Sequence, residues 1–133
     1  RLRDHALALL AEERPVVLAG DWNVIPTDDP DDVFSARAMA RDALMQPESR
    51  AAFETIVAQG WTDAIRHLHP DERIYTFWDY FRQHWERDAG LRIDHLLVSE
   101  TLAPKLVDAG VDRWVRGEPR PSDHAPTWIT LDL

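Results

Sequence analysis

Val16-Val17-Leu18-Ala19-Gly20-Asp21-Trp22-Asn23 is an apolar run that ends in a carboxylate and a carboxamide two positions apart. Pro15 separates it from the pattern before it, and its unbroken apolar character predicts a strand buried on both faces of a sheet. At the end of such a strand the side chains of Asp21 and Asn23 project to one side of the backbone. Both are oxygen donors. A hard cation such as Mg²⁺ binds through one or two carboxylates, water and substrate phosphate oxygens, and an amide adds a neutral ligand or a donor toward charge developing on phosphorus. Asp and Asn at a strand end also serve as turn formers that bond their own backbone, so both readings stand at this point.

On the N-terminal side, Leu2, Ala6, Leu9 and Leu10 recur at helical spacing with no Ser, Thr, Asp or Asn cap in front of them, which reads as a helix entered partway. Material preceding Arg1 is therefore expected. On the other side, Pro26 to Asp32 predicts a solvated loop, followed by a helix from Phe34 to Leu44. Pro47 opens a second helix, with Phe53, Ile56 and Val57 on one face and Gly60 at its end. Tyr75 to Tyr80 and Leu91 to Val98 have strand composition, joined by a loop with Asp88 and Gly90. A short helix capped by Ser99 runs to Leu106, Ala109 to Val115 is a further strand, and Thr127 to Leu131 is the last. Strands interleaved with helices predict an α/β (α+β) fold, one mostly antiparallel mixed sheet covered by helices.

The 133 residues have 44% hydrophobic content, 24 acidic and 15 basic side chains and no cysteine, which fits one domain over residues 1–133 with a core of its own. The lack of cysteine excludes disulfides, thiolate zinc sites and thiol nucleophiles. A formal net charge of −9 argues against the chain, taken whole, being a basic nucleic-acid clamp, while clustered acidic groups can serve a cation. No apolar stretch is long enough to span a membrane and no basic-then-apolar leader opens the sequence, so the expected location is cytoplasmic. Arginine supplies 14 of the 15 basic residues, which points to a GC-rich genome.

Two further constellations carry chemistry. Asp94 lies between Ile93 and His95 in an otherwise apolar run, and an unpaired buried carboxylate costs several kcal/mol, so it needs a partner. That partner is either a histidine or an arginine such as Arg92. Ser122-Asp123-His124-Ala125-Pro126 precedes the last strand, and Pro126 biases Ala125 toward an extended backbone that presents Asp123 and His124 where loop meets strand. Histidine exchanges protons near neutral pH, and a carboxylate such as Asp94 can fix its tautomer. The alternative is a local turn followed by a surface histidine. Taken together the three constellations supply a metal-site carboxylate, an amide, a histidine and a carboxylate to orient it, a set suited to metal-assisted hydrolysis of a phosphate ester.

Gly20-Asp21-Trp22-Asn23, Thr76-Phe77-Trp78-Asp79-Tyr80, Gly90-Leu91-Arg92-Ile93-Asp94 and Ser122-Asp123-His124-Ala125-Pro126, in this order, resemble the C-terminal half of the exonuclease III family. That family is a branch of the endonuclease/exonuclease/phosphatase superfamily, which includes the apurinic endonucleases. The resemblance implies half of a four-layer α/β/β/α sandwich and a metal-dependent DNA-repair phosphodiesterase. It implies 3′→5′ exodeoxyribonuclease, abasic-site endonuclease and 3′-phosphatase activities on double-stranded DNA with abasic sites or 3′ ends. The cofactor it implies is Mg²⁺, with Mn²⁺ as the alternative, in a bacterial cytoplasmic enzyme.

Carried over by position, the resemblance makes Asp21 the acid or base for the attacking water or the leaving oxygen, and Asn23 a binder of phosphate and metal. It gives His124 contact with the phosphate or the role of general base, makes Asp94 the residue that orients His124, and makes Asp123 a metal ligand. Asp21 and His124 belong to the same metal set. The resemblance also implies that Phe77 and Trp78 lie where the family places an aromatic against the abasic sugar, with Arg92 on the DNA side. Trp61, Trp85, Trp114 and Trp128 have no such match and are expected to be core or partly exposed packing residues. The family's first strands hold an asparagine and a glutamate ligand and its middle a catalytic tyrosine, none of which this sequence contains at a matching place. The missing N-terminal half is therefore an expected partner, and one face of the sheet is expected to be an exposed apolar surface without it. A relative acting on phospholipids or inositol phosphates would share Asp21, Asn23, Asp123 and His124, and a catalytically silent fragment is the third alternative.

Overall fold

The computed structural model describes all 133 residues. Helix α1 (Leu2–Ala11) leads into strand β1 (Val17–Asp21); a short helix α2 (Ala36–Met39) and a 3₁₀ turn (Ala43–Met45) precede helix α3 (Pro47–Val57). Strand β2 (Thr62–Asp63), helix α4 (Ala64–Leu68), and strands β3 (Asp94–Val98), β4 (Leu106–Val111) and β5 (Thr127–Leu131) complete the chain. The fold is mixed α/β with antiparallel pairing throughout. Hydrogen bonding divides the strands into two sheets, ordered β1-β3-β2 and β4-β5, rather than the single sheet expected. The division has a local cause. Between β3 and β5 runs the segment around Phe77, which pairs with Leu91 on one side and His124 on the other at a single residue. Trp78 then gives its N–H to the Asp123 carbonyl and the chain turns away, so Tyr75 to Tyr80 forms bridges instead of the predicted strand.

The β1–β3 register sets the layers. Leu18 pairs with Leu97 and Gly20 with His95 on one face, while Val17 pairs with Val98, Ala19 with Leu96 and Asp21 with Asp94 on the other. The first face is covered by the apolar stripes of α1 and α3, where Ala6, Phe53, Ile56, Trp61 and Leu97 form a buried cluster with Leu18 against it. On the second face Val98 joins Ala64 and Leu102, with Leu96, Ile129 and Leu131 packed on them, so β3 is sandwiched between the helices and the β4-β5 sheet. Strand β1 is not. Val17 is 36% exposed and Ala19 and Gly20 are open, which corrects the reading of β1 as buried on both faces. As an edge strand it has one hydrogen-bonded neighbour and no cover on its second face.

Other boundaries move for similar reasons. The expected helix over Phe34 to Leu44 splits into two short pieces, capped by the side chains of Ser35 and Asp42. Pro104 shortens the helix after Ser99 to a single 3₁₀ turn, so β4 starts earlier than predicted, and it ends earlier because Arg113 to Gly117 forms another such turn. Trp61 is buried and Trp85 and Trp128 half-buried, whereas Trp114 is 65% exposed and packs little.

A buried charge network holds the loop after β1 to the sheet. Arg92, 1% exposed, donates from Nε to Asp32 at 2.7 Å and from Nη1 to Asp63 at 2.8 Å. Asp32 also accepts from Arg66 at 2.7 Å and from Thr27 at 2.6 Å. Burial alone would raise the Asp32 pKa, but the Arg92 charge and these hydrogen bonds outweigh it and hold the carboxyl below its ordinary value. Arg92 therefore cannot reach DNA as expected; it is a structural ion. Removing one member of such a pair leaves an uncompensated buried charge, so Arg92→Met is expected to cost about 3–5 kcal/mol. Urea unfolding checks this as a lower midpoint with an unchanged slope.

Candidate active site

Strand pairing ends at Asp21 opposite Asp94, which places two carboxylates side by side on the face away from the helices. The imidazole of His124, delivered by the loop before β5, stands between them. Its Nδ1 lies 2.8 Å from Asp94 Oδ2 and its Nε2 3.6 Å from Asp21 Oδ2, with Asp123 Oδ1 4.0 Å from the same nitrogen. Asp94 thus takes the histidine of the two partners open to it, because Arg92 is engaged by Asp32 and Asp63. Burial, its largest influence, raises the Asp94 pKa; the His124 and Thr76 hydrogen bonds oppose it and the nearby Asp21 charge adds to it. With Nδ1 bonded to Asp94, Nε2 is the nitrogen that faces the site.

The local turns expected of these motifs are present alongside the site. Asn23 gives its N–H to Asp21 Oδ1 at 2.9 Å, and His124 gives its N–H to Ser122 Oγ at 3.1 Å. Turn chemistry here holds the chemical groups in place instead of replacing them. Asn23 has φ of +49°, a left-handed conformation that asparagine tolerates better than most residues. Its side chain is exposed beside Asp21.

The aromatic run around Thr76 carries no mark of the role its hydroxyl plays. Fully buried, its Oγ1 accepts from the N–H groups of Ile93 and Asp94 at 3.1 Å each, and its carbonyl accepts from Ala125 N–H at 2.9 Å. One residue therefore ties the Asp94 strand to the His124 loop. The Phe77 ring meets His124 edge-on with centroids 5.1 Å apart and remains partly accessible. Trp78 does not. It is 1% exposed and its Nε1 donates to Asp88, so it packs beneath the site rather than contacting a ligand, a correction to its expected role. The exposed aromatics of this segment are Tyr80 and Phe81, 61% and 55% accessible. Sequence alone gave no alternation that would separate them from Trp78.

Oxygens of Asp21 and Asp94 and a ring nitrogen of His124 all lie within 4.8 Å of one another. Asp123 is half-buried, 4.0 Å from His124 Nε2, and Asn23 is exposed with its backbone N–H on Asp21. Carboxylate oxygens with one imidazole form a donor set that fits a divalent cation.

A sequence model of the Endonuclease/Exonuclease/phosphatase family matches residues 1–124. The chain belongs to the endonuclease/exonuclease/phosphatase family. It is 33% identical over 125 residues to an exodeoxyribonuclease of Bacillus subtilis (strain 168), covering 93% of this chain and 47% of that protein. Among solved structures it is similar to the 3′ phosphatase NExo from Neisseria bound to product DNA hairpin, with a TM-score of 0.93 at 33% identity, over 99% of this chain and 51% of that one. It is also similar to an AP endonuclease from Archaeoglobus fulgidus, with a TM-score of 0.85 at 32% identity, over 98% of this chain and 55% of that one. The chain thus spans about half the length of the curated relatives it matches. Membership of this family bears out the resemblance read from the motifs, and the antiparallel α/β architecture accords with it. No helix is long and apolar enough to cross a membrane.

On the helix-covered face, directly behind Asp94, His95 is buried and its pKa is lowered to about 4, first by burial and then by the Arg92 charge. The folded value lies below the ordinary 6.5, so between these values the unfolded chain takes up a proton that the native state refuses. Stability is full above about pH 6.5 and falls as the pH drops toward 4, by ~2 kcal/mol between pH 7 and pH 5 from this group. Denaturant unfolding at the two pH values checks the slope, which His95→Gln is expected to flatten.

Proposed function

We propose that this chain carries the phosphate-facing residues of a metal-dependent DNA-repair phosphodiesterase, a 3′→5′ exodeoxyribonuclease and apurinic/apyrimidinic endonuclease with 3′-phosphatase character. Its substrate is double-stranded DNA with abasic sites or 3′ ends. The observation that carries the reading is the alignment of Asp21, His124 and Asp94 at the ends of β1, the β5 loop and β3. An exodeoxyribonuclease, a DNA-bound 3′ phosphatase and an AP endonuclease among the similar proteins support it.

Hydrolysis of a phosphodiester forms a bond from water oxygen to phosphorus and breaks the bond to the leaving oxygen, which gains a proton. Asp94 anchors Nδ1 of His124, so Nε2 contacts the phosphate or takes the proton of the attacking water. Asp21, 3.6 Å from that nitrogen, moves the proton of the attacking water or the leaving oxygen. The Asn23 carboxamide donates to the scissile phosphate. Asp21, Asn23 and Asp123 would hold Mg²⁺, or Mn²⁺ in its place, and His124 would join them only where its Nε2 is not engaged with the water or the phosphate. A bound cation supplies Lewis-acid polarisation of the phosphoryl oxygen. The accessible edge of Phe77 gives an apolar contact for a sugar lacking its base. The N-terminal half of the same domain is the partner that would cover the open face of β1 and complete the site, and the bacterial cytoplasm is the proposed location.

The full-length protein carrying this chain is expected to cleave abasic duplex with Mg²⁺ or Mn²⁺ and to lose that activity with EDTA. Asp21→Asn and His124→Ala are each expected to lower the rate roughly 10²-fold or more. Unchanged rates in both variants would overturn the assignment, and cleavage of phosphoinositides in place of DNA would move it to the lipid-directed branch. The 133-residue chain alone is expected to be weak or inactive. Robust metal-dependent cleavage of abasic duplex by that chain would refute the need for a second half.

A further inference from the structure

Asn23 is held from both sides by the strand that bears Asp94. On one side Trp22 gives its N–H to the Ile93 carbonyl at 3.0 Å and its Nε1 to the His95 carbonyl at 3.1 Å. On the other, the Val24 carbonyl lies 2.9 Å from His95 Nε2. His95 occupies the helix-covered face, 1% exposed, with its ring 4.7 Å from that of Phe53. Its Nδ1 is 3.3 Å from Arg92 Nη1. A guanidinium has donors only, so Nδ1 accepts, and in the neutral ring the one proton is on Nε2, where it is donated to Val24. Arg92 is itself immobilised by Asp32 and Asp63. The chain of bonds from Asp32 and Asp63 through Arg92 and His95 therefore ends on the residue after Asn23.

We propose that His95 is a positioning residue that clamps the Val24 carbonyl and so fixes Asn23 in its left-handed conformation beside Asp21, setting where the carboxamide meets the phosphate. It touches no substrate and acts through the backbone, and the inference rests on the role given to Asn23 in the proposed function. Apolar packing of the ring on Phe53 would be kept by leucine, whereas the two hydrogen bonds would not. Glutamine keeps both, with an amide N–H for Val24 and a carbonyl oxygen for Arg92.

The test uses the full-length protein carrying this chain. His95→Leu is expected to lower kcat on abasic duplex roughly 10- to 100-fold with KM little changed, and His95→Gln to restore most of it. Amide exchange at Asn23 is expected to quicken in His95→Leu and return in His95→Gln, with the amides of Leu96 to Val98 unchanged. Full activity in His95→Leu, or equal impairment of the two variants, overturns the proposal. A ¹H–¹⁵N correlation of the imidazole needs no variant to fold: a proton on Nε2 supports the clamp and a proton on Nδ1 overturns it. The tautomer and exchange readouts require no substrate. A protein that shows them yet leaves DNA uncleaved keeps the clamp and overturns the functional reading alone.

Discussion

The pairing of Asp21 with Asp94 is the constraint on which the rest depends. Side chains alternate strictly along a strand, so a slip of one residue between β1 and β3 would send one carboxylate to the helix face and leave the other alone. In the observed register both point to the same side, and the loop before β5 needs only to place one imidazole between them. The same register puts Leu18 opposite Leu97 on the face covered by α1 and α3. Burial of that apolar pair and the geometry of the site are one and the same choice of pairing.

Strand β3 separates two kinds of polar chemistry across its thickness. On the open face Asp94 is half-buried and shared with an accessible histidine, the state of a group available to a ligand. On the covered face His95 and Arg92 are sealed from water, with both imidazole nitrogens and Arg92 Nε and Nη1 hydrogen-bonded. Low dielectric strengthens those bonds and makes any unpaired member costly, so the buried side is rigid where the exposed side is free to react. Thr76 performs a related task along the strand, since its hydroxyl and carbonyl bind Asp94 and the Ala125 backbone at once.

Charge and length both read differently once the structure is in place. Residues 1–79 hold 15 of the 24 acidic side chains, while the segment with exposed Tyr80 and Phe81 and the arginines at 82, 113 and 120 belongs to the nearly balanced remainder. A net charge summed over the chain therefore averages two unequal parts, and around His124 itself the local charge is set by Asp21, Asp94 and Asp123. The length suffices for buried clusters on both sides of β3, yet the second face of β1 is open in a chain about half as long as its curated relatives.

The local sequence determined the strand at Val17 to Asp21, the proline-led helix at Pro47 and the last strand, and it picked out Asp21, Asn23, Asp94, Asp123 and His124 as candidates, because apolar runs, caps and turn residues act within a few positions. It could not decide between histidine and arginine as the partner of Asp94. That depended on Asp32 and Asp63, distant along the chain, capturing Arg92 first. Nor could it tell an accessible aromatic from a buried one: Phe77, Trp78 and Tyr80 read alike as strand formers, and only the turn after Phe77 buries Trp78 and exposes Tyr80. The splitting of one expected sheet into two has the same origin. Propensity specifies which residues can extend, whereas hydrogen-bond partners and burial are set by residues brought together from far apart, and those contacts exist only in the tertiary structure.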